Sequence, residues 1–336
     1  MIRVAILGAS GFVGGELLRL CDGHDHFEPV RLGGESAAGS PLGAVHPHLA
    51  AAYPDAVVER VSTDLLDGID LVFAALPHGH SQDLAGEIID RGIFFVDLGA
   101  DFRLQDPDAY RTWYKEEHRA PGLLPQFAYG IPELHRDAIG RSKAVAAAGC
   151  YPTAAILALK PLLPLIDPES IIVDAASGVT GAGRALKEAT AFTSVAENTS
   201  AYGLLDHRHT AEMEAALGGR VLFTPHLAPM NRGILATCYA TAAGPMDEAA
   251  PLEALRAAYQ GEPFVHVSER APSTKWTLGS NAVHLTARYD SRTGRILAIA
   301  ALDNLVKGAA GQMIQCANLM LGLDEGAGLS RVGIFP

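Results

Sequence analysis

The sequence is poor in cysteine, in basic clusters and in long apolar runs, and each scarcity excludes a class of protein. Its 336 residues include four cysteines, and no two of them form a C-x-x-C pair. That spacing excludes a zinc-ribbon or dithiol redox motif, so we expect no bound metal. A formal net charge of −12 without any Lys/Arg cluster argues against nucleic-acid binding.

Neither a membrane span nor a signal peptide is predicted. No apolar run free of polar residues reaches the length needed to cross a bilayer. The chain opens directly into a strand-like segment, without the charged and apolar regions of a secretory signal. We therefore expect a cytoplasmic protein with no membrane partner, and a reactive thiol can persist in that reducing compartment.

The chain does contain enough apolar material for two buried cores. Apolar residues make up 49% and charged residues 19% of the sequence, which argues against disorder, and the length favours two domains. As far as residue 149, short apolar strands alternate with helical segments, which predicts an α/β domain with a parallel sheet. Beyond it, strands of alternating apolar and polar residues predict an α+β domain with a mostly antiparallel sheet.

The first strand–helix turn carries regularly spaced glycines. In "GASGFVGG" the pattern is G-x-x-G-x-x-G, at Gly8, Gly11 and Gly14. Glycines at such a turn let the backbone approach a pyrophosphate at the helix N-terminus, so we predict a dinucleotide site, with a purely structural turn as the alternative. Glu35 would hold a ribose diol and favour NAD, whereas Ser36 and Ser40 would accept a 2′-phosphate and favour NADP. The residues alone leave both cofactors open.

Cys150 stands at the start of an apolar helix rather than inside it. It follows Gly149 in "AAAGCYPTAAILAL", and Pro152 and Thr153 come soon after it, which is typical of a helix start. The positive end of the helix dipole and the unpaired backbone N–H groups favour a thiolate there, so we predict a nucleophile. The other cysteines lie in apolar patterns and are interpreted as core residues: Cys21, Cys238 and Cys316.

A thiol nucleophile needs a proton acceptor, and the densest histidine segment is "DHRHTAEM". His207, Arg208 and His209 follow one another there, and Glu212 comes three residues after His209, on the same helix face. The alternative interpretation is a solvated polar helix start, since the chain has 13 histidines.

Two further segments place a cation where an anion can bind. "SGVTGAGR" is a glycine loop ending in Arg184, whose guanidinium suits a carboxylate or phosphate; the alternative is a flexible turn. "DFR" follows a strand end, where open α/β sheets bind ligands, and makes Arg103 a second candidate.

Together these motifs resemble the N-acetyl-gamma-glutamyl-phosphate reductase family, relatives of aspartate-semialdehyde dehydrogenase. The matching segments are "GASGFVGGELLRL", "ALPHGHS", "DLGADFRL", "YGIPEL", "AGCYPTAA", "SGVTGAGR", "YGLLDHRHTAEM", "TPHLAPMNRGI" and "KGAAGQ". They run from residue 8 to residue 312, and "GCYPT" and the HRH segment with its glutamate are specific. Two departures are small: Ala147-Ala148 stands where the family often has Asn-Pro, and Gly99 where it often has Ser.

The resemblance implies an organisation and a reaction. It implies a Rossmann-type NADP-binding domain over 1–148, joined by a C-terminal helix over 313–336, and a catalytic and dimerisation domain over 149–312. It also implies a homodimer or homotetramer that uses NADPH, an aldehyde-forming acyl-phosphate reductase of arginine biosynthesis. The enzyme would convert N-acetyl-glutamyl 5-phosphate to N-acetyl-glutamate 5-semialdehyde and phosphate through a cysteine thioester.

The resemblance further implies the roles of individual residues. Cys150 would be the nucleophile and His207 or His209 its acid/base, with a slight preference for His207. Four residues would contact the substrate: Arg103, Arg184, Tyr202 and Arg208. The cofactor would contact residues spread along the chain: Gly8, Ser10, Gly11, Phe12, Val13, Gly14, Ser36, Ser40, Leu76, Pro77, Ser177, Gly178 and Asn304.

Three other kinds of function are alternatives. A sister reductase would act on aspartyl phosphate or on a carrier-linked aminoadipyl phosphate of lysine biosynthesis. A cysteine hydrolase would use Cys150 and a histidine, but it gives the glycine turn no purpose. A non-catalytic NADP-binding redox sensor would bind the cofactor without turning over an acyl phosphate.

Overall fold

The computed structural model describes residues 1–336 as two compact units. Unit 1 comprises Met1–Ala148 and Ala309–Leu329, and unit 2 comprises Gly149–Gly308 and Ser330–Pro336. Each unit therefore combines one long stretch of chain with a short segment from near the C-terminus. No helix in the structure is both long and apolar enough to cross a membrane.

Strands and helices are numbered along the chain. The strands are β1 Ile2–Leu7, β2 Phe27–Gly33, β3 Leu71–Ala74, β4 Phe94–Asp97, β5 Phe127–Gly130, β6 Ala144–Ala147, β7 Ile171–Ser177, β8 Ser200–Ala201, β9 Val221–Leu227, β10 Ile234–Thr241, β11 Val265–Val267, β12 Val283–Asp290 and β13 Arg295–Leu302. The α-helices are α1 Phe12–Asp22, α2 Leu42–Val45, α3 Ser81–Asp90, α4 Pro107–Tyr114, α5 Pro132–Arg141, α6 Cys150–Leu159, α7 Phe192–Val195, α8 His209–Leu217, α9 Ala250–Ala258 and α10 Gly311–Met320.

Unit 1 is built on a six-stranded sheet in the order β2-β1-β3-β4-β6-β5, and every neighbouring pair is parallel. Strands β3 and β6 are buried along their whole length, as expected of a sheet covered on both faces. The chain runs outward from β1 to β2 and then returns to β3 on the other side of β1. This reversal creates a switch point just after β1, where open α/β sheets bind ligands. The predicted Rossmann-type parallel sheet is confirmed.

The C-terminal helix α10 belongs to unit 1 and is shorter than predicted. It packs against α5, α1 and β4, and most of its residues are buried. The helix ends at Met320, and Gly322 takes a left-handed conformation with φ of 67°. The N–H groups of Gly322 and Leu323 then satisfy the last carbonyls, those of Leu319 and Asn318, at 3.2 and 2.9 Å. The predicted helix over 313–336 is therefore wrong in extent, because a glycine stop interrupts it.

Unit 2 contains a seven-stranded sheet in the order β11-β12-β13-β10-β7-β9-β8. Strand β10 pairs antiparallel with β7 and β13, and β12 and β8 also pair antiparallel with their neighbours β13 and β9. The pairs β7–β9 and β11–β12 are parallel, so the sheet is mixed but mostly antiparallel, as predicted. Alternate residues of β7 and β10 are buried, and helices α6, α8 and α9 pack on the sheet.

Candidate active site

Cys150 is the first residue of α6 and the only residue of this helix that is not buried. The preceding Gly149 has extended backbone, with φ of −66° and ψ of 156°. Its carbonyl accepts hydrogen bonds from the N–H and the hydroxyl of Thr153, each at 2.8 Å. The helix is apolar on every side because it lies in the core of unit 2. The thiol therefore lies at the accessible, positive end of a buried helix, where a thiolate is stabilised.

The other cysteines are unsuited to nucleophilic chemistry. Cys21, Cys238 and Cys316 are at most 2% exposed, in agreement with their interpretation as core residues. Burial raises the pKa of the Cys21 and Cys238 thiols to about 12, which keeps them protonated at neutral pH. Cys150 is thus the one thiol that a dissolved molecule can reach.

Gly308 packs directly against Cys150, a contact that the sequence analysis missed. A Cβ atom added to Gly308 would lie 2.7 Å from the Cβ of Cys150. Gly308 belongs to a π-helical turn over Val306–Ala310, and its N–H donates to the Asp303 carbonyl at 2.9 Å. Such turns are frequent at functional sites. The only signal in the sequence was the motif "KGAAGQ", to which no chemical role had been assigned.

The HRH segment lies beside Tyr151, the residue that follows Cys150. The ring centroid of Tyr151 is 5.8 Å from that of His207 and 5.9 Å from that of His209. The two histidine rings are 4.8 Å apart. The fold therefore brings both predicted acid/base candidates to the start of α6.

His207 is enclosed by aromatic rings. Tyr202 and Phe223 lie at centroid distances of 5.6 and 5.2 Å, in addition to Tyr151. Burial, helped by the neighbouring Arg208 charge, lowers the pKa of His207 to about 4. The ring atom Nδ1 accepts the backbone N–H of His209 at 3.2 Å. His207 is therefore neutral at physiological pH.

Glu212 connects α8, which begins in the HRH segment, to the start of α6. Its Oε1 accepts the backbone N–H of Gly149 at 2.8 Å, across 63 residues of chain, and the side chain is buried. Such a charge-assisted bond to a buried N–H fixes the backbone immediately before Cys150. The sequence predicted that Glu212 shares a helix face with His209, but it did not predict the hydrogen bond to Gly149.

The predicted substrate residues of unit 2 are accessible. Arg208 stands at the N-cap of α8 and Arg184 follows Gly183, and both side chains are exposed. A cation at the positive end of a helix is unfavourable by itself, and a bound anion would relieve that cost. The hydroxyl of Tyr202 lies 3.1 Å from that of Tyr151, the residue after Cys150.

Arg103 differs from these cations because it belongs to unit 1 and is only 9% exposed. Its Nη2 donates to the Leu98 carbonyl at 2.6 Å. The guanidinium is therefore bonded within its own unit.

The glycine turn after β1 is shaped by two close backbone contacts. A Cβ on Gly8 would lie 2.3 Å from the Ala75 carbonyl oxygen, and a Cβ on Gly14 would lie 2.3 Å from that of Gly8. Gly8 also has φ of 93°, which favours glycine. Gly11 is different, since its Cβ would meet only the Gly8 carbonyl, at 3.3 Å. The position that a Gly11 side chain would take, at the start of α1, is therefore largely open.

Residues that follow β2 and β3 lie at the same carboxyl edge of the sheet. Glu35 accepts the Val61 N–H at 3.1 Å and pairs with Arg60 at 3.6 Å. Its neighbour Ser36 is exposed, and Ser40 is partly so. The predicted contacts Leu76 and Pro77 come after β3, and Ser10, Phe12 and Val13 are half-buried in the glycine turn.

A buried carboxylate with its hydrogen-bond partners lies at the end of β4, and the sequence did not predict it. Asp97 is fully buried and accepts the Ser81 hydroxyl at 2.7 Å and the Gly99 N–H at 2.9 Å. Burial raises the pKa of Asp97 to about 7. A Cβ on Gly99 would lie 2.9 Å from both Asp97 Oδ1 and Ser81 Oγ. The glycine that replaces a serine of the resembled family therefore leaves room for this network.

Two family models match successive parts of the chain. The family model described as "Semialdehyde dehydrogenase, NAD binding domain" matches residues 3–142. The model described as "Semialdehyde dehydrogenase, dimerisation domain" matches residues 150–304. The cofactor is thus of the nicotinamide class.

Curated relatives are similar over the whole chain. The N-acetyl-gamma-glutamyl-phosphate reductase of Desulforudis audaxviator is 47% identical, with 100% of each chain covered. The enzyme of the same name from Symbiobacterium thermophilum is 46% identical, with 100% of this chain and 99% of that protein covered. This chain belongs to the N-acetyl-gamma-glutamyl-phosphate reductase family. The family resemblance carried by the motifs is confirmed, and members of this family are oxidoreductases that act on an acyl phosphate.

Solved structures share the fold at lower identity. Aspartate semialdehyde dehydrogenase II from Vibrio cholerae, complexed with ASA, has a TM-score of 0.72 at 18% identity, covering 96% of this chain and 98% of that one. Aspartate semialdehyde dehydrogenase with NADP from Candida albicans has a TM-score of 0.71 at 16% identity, with the same coverage. These likenesses show that this chain shares the fold of the two aspartate semialdehyde dehydrogenases.

Three residues that the family resemblance assigned to the cofactor are tied into one loop of unit 2. The Asn304 amide accepts the Gly233 N–H at 2.8 Å and donates to the Thr180 hydroxyl at 3.0 Å. Gly178 packs so closely on Asn231 that a Cβ would lie 2.6 Å from its carbonyl oxygen, and Ser177 is buried. These contacts hold the glycine loop that precedes Arg184.

Proposed function

We propose that this chain reduces N-acetyl-glutamyl 5-phosphate to N-acetyl-glutamate 5-semialdehyde, with release of phosphate and with NADPH as the reductant. The observation that carries this proposal is the 47% identity to a reductase of that name over the full length of both chains. The accessible thiol at the start of α6, with two histidines beside the next residue, Tyr151, supports the covalent route.

In the first step, the Cys150 thiolate attacks the acyl carbon of the acyl phosphate. The C–S bond forms, the bond between the acyl carbon and the phosphate oxygen breaks, and inorganic phosphate leaves with the electron pair. The start of α6 favours the thiolate and offers backbone N–H groups to the oxyanion that develops on the acyl oxygen. The product is a thioester on Cys150, and a covalent route of this kind divides one difficult reaction into two easier ones.

In the second step, the thioester is converted to the aldehyde. NADPH, when bound, supplies the hydride for this reduction. A histidine of the HRH segment provides a proton to the oxygen, which gives the hemithioacetal, and takes the same proton back as the C–S bond breaks. The semialdehyde leaves, and Cys150 returns as a thiolate beside the same histidine pair.

The residues that would hold NADPH are those of the glycine turn and the adjoining strand ends: Gly8, Ser10, Gly11, Phe12, Val13, Gly14, Ser36, Ser40, Leu76 and Pro77. The open space above Gly11 supports pyrophosphate binding. The Glu35 carboxylate is already engaged by Val61 and Arg60, whereas Ser36 beside it is exposed. This arrangement favours a 2′-phosphate over a bare ribose diol, and therefore NADPH over NADH. Ser177, Gly178 and Asn304 complete the proposed cofactor set.

Arg184, Arg208 and Tyr202 are the proposed substrate contacts of unit 2, because two exposed guanidinium groups suit the carboxylate and phosphate of this substrate. Arg103, which belongs to unit 1 and is mostly buried, is a further proposed substrate contact. We also propose a homodimer or homotetramer, supported by the dimerisation-domain family model. A reactive thiol at Cys150 is best preserved in the cytoplasm.

The reaction is tested most simply in reverse. The protein is incubated with N-acetyl-glutamate 5-semialdehyde, phosphate and NADP⁺, and the absorbance of NADPH is followed. Matched assays replace the substrate with aspartate semialdehyde or the cofactor with NAD⁺. The proposal predicts NADPH formation that needs phosphate and the N-acetylated substrate.

Each other result has a distinct meaning. Turnover of aspartate semialdehyde instead would assign the chain to the sister activity. NADPH binding without turnover of either aldehyde would overturn the proposal, and would favour a carrier-linked aminoadipyl substrate or a redox sensor. Faster turnover with NAD⁺ would contradict the cofactor assignment alone.

A further inference from the structure

We propose that His46 is a positioning residue of the cofactor site, which holds the Ala9 carbonyl and thereby turns the Ser10 N–H toward the pyrophosphate of NADPH. This inference rests on the proposed function, because it takes the glycine turn after β1 as the place where the pyrophosphate binds. No role was predicted for this histidine from the sequence.

His46 donates a hydrogen bond into the glycine turn. Its Nε2 lies 2.9 Å from the Ala9 carbonyl oxygen, and both residues are buried. A carbonyl oxygen can only accept, so the ring proton that makes this bond is on Nε2. Because a buried carbonyl that loses its donor is costly, the bond fixes the direction of this carbonyl.

The backbone on either side of the imidazole is itself held in place. The His46 N–H donates to the Leu42 carbonyl at 2.7 Å, and the His46 carbonyl accepts the Leu49 N–H at 2.9 Å. Further along the same segment, the Tyr53 hydroxyl donates to the Leu18 carbonyl of α1 at 2.9 Å. The segment from Leu42 to Tyr53 is therefore attached to α1 and brings a fixed imidazole to the turn.

Gly15 leaves the space that the imidazole occupies. A Cβ atom on Gly15 would lie 2.6 Å from His46 Cε1 and 2.8 Å from His46 Nδ1. Gly15 lies inside α1 and has no positive φ, so its backbone conformation does not require a glycine. A glycine inside a helix also lowers stability relative to alanine. The contact with the ring is therefore the physical reason for a second glycine directly after Gly14.

The direction of the Ala9 carbonyl decides where the next N–H points. The peptide bond between Ala9 and Ser10 is trans and planar, so the Ser10 N–H points away from the Ala9 carbonyl. Backbone N–H groups at such a turn bind the oxygens of a pyrophosphate, whereas a carbonyl oxygen facing them would repel their negative charge. By holding the carbonyl on its own side, His46 keeps it out of the anion site and turns the N–H toward that site.

The hydrogen bond is tested with two side chains of similar length and volume. His46→Gln can still donate to Ala9, whereas His46→Met fills a similar space without a donor. Dissociation constants for NADPH are measured by fluorescence titration, and the melting temperature of each cofactor-free variant is recorded in parallel.

The two variants should differ in cofactor affinity and not in chemistry. We expect His46→Gln to bind NADPH within about threefold of wild type and His46→Met about tenfold more weakly, the size of one hydrogen bond. At saturating NADPH, kcat of both should stay within about twofold of wild type, because the interaction acts on binding alone. A methionine variant that binds NADPH as tightly as wild type, or that loses kcat without losing affinity, would overturn the inference.

Gly15 provides a second test that leaves His46 in the chain. Gly15→Ala displaces the ring and should weaken NADPH binding by about tenfold, as the loss of the hydrogen bond does. In a His46→Ala background the added methyl group has room, so the same substitution should weaken binding by less than about twofold further. Fully additive losses in the double variant would contradict the claim that the ring links Gly15 to the cofactor.

Failure of the proposed function gives a different pattern. A wild type that binds NADPH but turns over no acyl phosphate, with the variants ordered in affinity as expected, would leave the inference standing and remove only the reaction. If NADH binds instead, the same titrations are made with NADH, because both cofactors carry the pyrophosphate. A wild type that binds neither cofactor would overturn the inference.

Discussion

Helices α1 and α6 both begin after a glycine with extended backbone. In both cases the N-cap residue is this glycine, which has no side chain with which to cap the helix. At α1 a Cβ atom on Gly11 would meet only the Gly8 carbonyl oxygen, at 3.3 Å. At α6 the first residue is Cys150, and the N–H just before it is held by Glu212. We propose that the first helix start binds the cofactor and that the second carries the nucleophile.

The comparison also shows how differently the two starts are supported. The turn before α1 is shaped by neighbouring backbone, through the close packing of Gly8 on Ala75 and of Gly14 on Gly8. The start of α6 depends on groups far along the chain, the Glu212 carboxylate and the glycine at position 308. Changes at α1 should therefore affect cofactor binding, and changes around α6 should affect the thiol.

The largest expected effect comes from Cys150→Ser. Loss of the thiolate should lower kcat by about 10³-fold or more, since serine at this position has no comparable activation. NADPH binding, followed by fluorescence titration, should stay within about twofold because the glycine turn is untouched. An active serine variant would refute the assignment of Cys150 as nucleophile.

The next effect separates two glycines of the same turn. Gly14→Ala places a Cβ 2.3 Å from the Gly8 carbonyl oxygen, so the turn must shift. We expect a loss of stability of about 1–3 kcal/mol, measured by urea unfolding, together with weaker NADPH binding. Gly11→Ala is the matched control: its Cβ meets only one atom, at 3.3 Å, so stability should be nearly kept while NADPH binding falls by about tenfold. Unchanged NADPH binding in Gly11→Ala would contradict the pyrophosphate position.

A smaller effect is expected from Glu212. Glu212→Gln keeps an acceptor for the Gly149 N–H but removes a negative charge close to the thiol. The midpoint pH for alkylation of Cys150 by iodoacetamide should therefore move downward, because the thiolate is no longer repelled. Glu212→Ala leaves a buried N–H without its acceptor and should cost about 1–3 kcal/mol in the free energy of unfolding. Identical alkylation profiles for Glu212→Gln and wild type would show that the carboxylate charge does not reach the thiol.

The smallest effect concerns stability alone and lies away from both helix starts. The pKa of Asp97 is raised by burial from its ordinary value of 3.8 to about 7, so the folded protein binds this proton more tightly than the unfolded chain does. The stabilisation is complete below pH 3.8 and is lost as the pH rises through about 7. The Asp97→Asn side chain cannot ionise. The difference in the free energy of unfolding between mildly acidic and mildly alkaline pH, measured by urea unfolding, should therefore be smaller in this variant by about 1–2 kcal/mol. An unaltered pH dependence in the variant would place its source elsewhere.

Local patterns allowed much of this to be predicted from the sequence. Alternating strands and helices gave the parallel sheet, the spacing of Gly8, Gly11 and Gly14 marked the turn after β1, and the glycine before Cys150 marked a helix start. Each of these depends on residues that are close together in the chain. The fold and family predictions were confirmed, whereas the individual site assignments stay predictions.

Contacts between distant segments could not be predicted in the same way. No periodicity shows that Glu212 bonds the backbone before Cys150, or that position 308 must lack a side chain to fit beside the thiol. The predicted extent of α10 was wrong for a related reason. Apolar residues continue past Met320, but Gly322, in a left-handed conformation, ends the helix. Buried networks such as that of Asp97 become visible only when the strand ends are assembled.

The central claim is that Cys150 carries the acyl group, and it can be tested without any reductant. Wild-type protein is mixed with N-acetyl-glutamyl 5-phosphate in the absence of NADPH, quenched with acid, digested and analysed by mass spectrometry, while released phosphate is measured in parallel. The account predicts one phosphate per active site and an N-acetylglutamyl adduct on the peptide that contains Cys150, absent in Cys150→Ser. Phosphate release without this adduct, or an adduct at another residue, would contradict it.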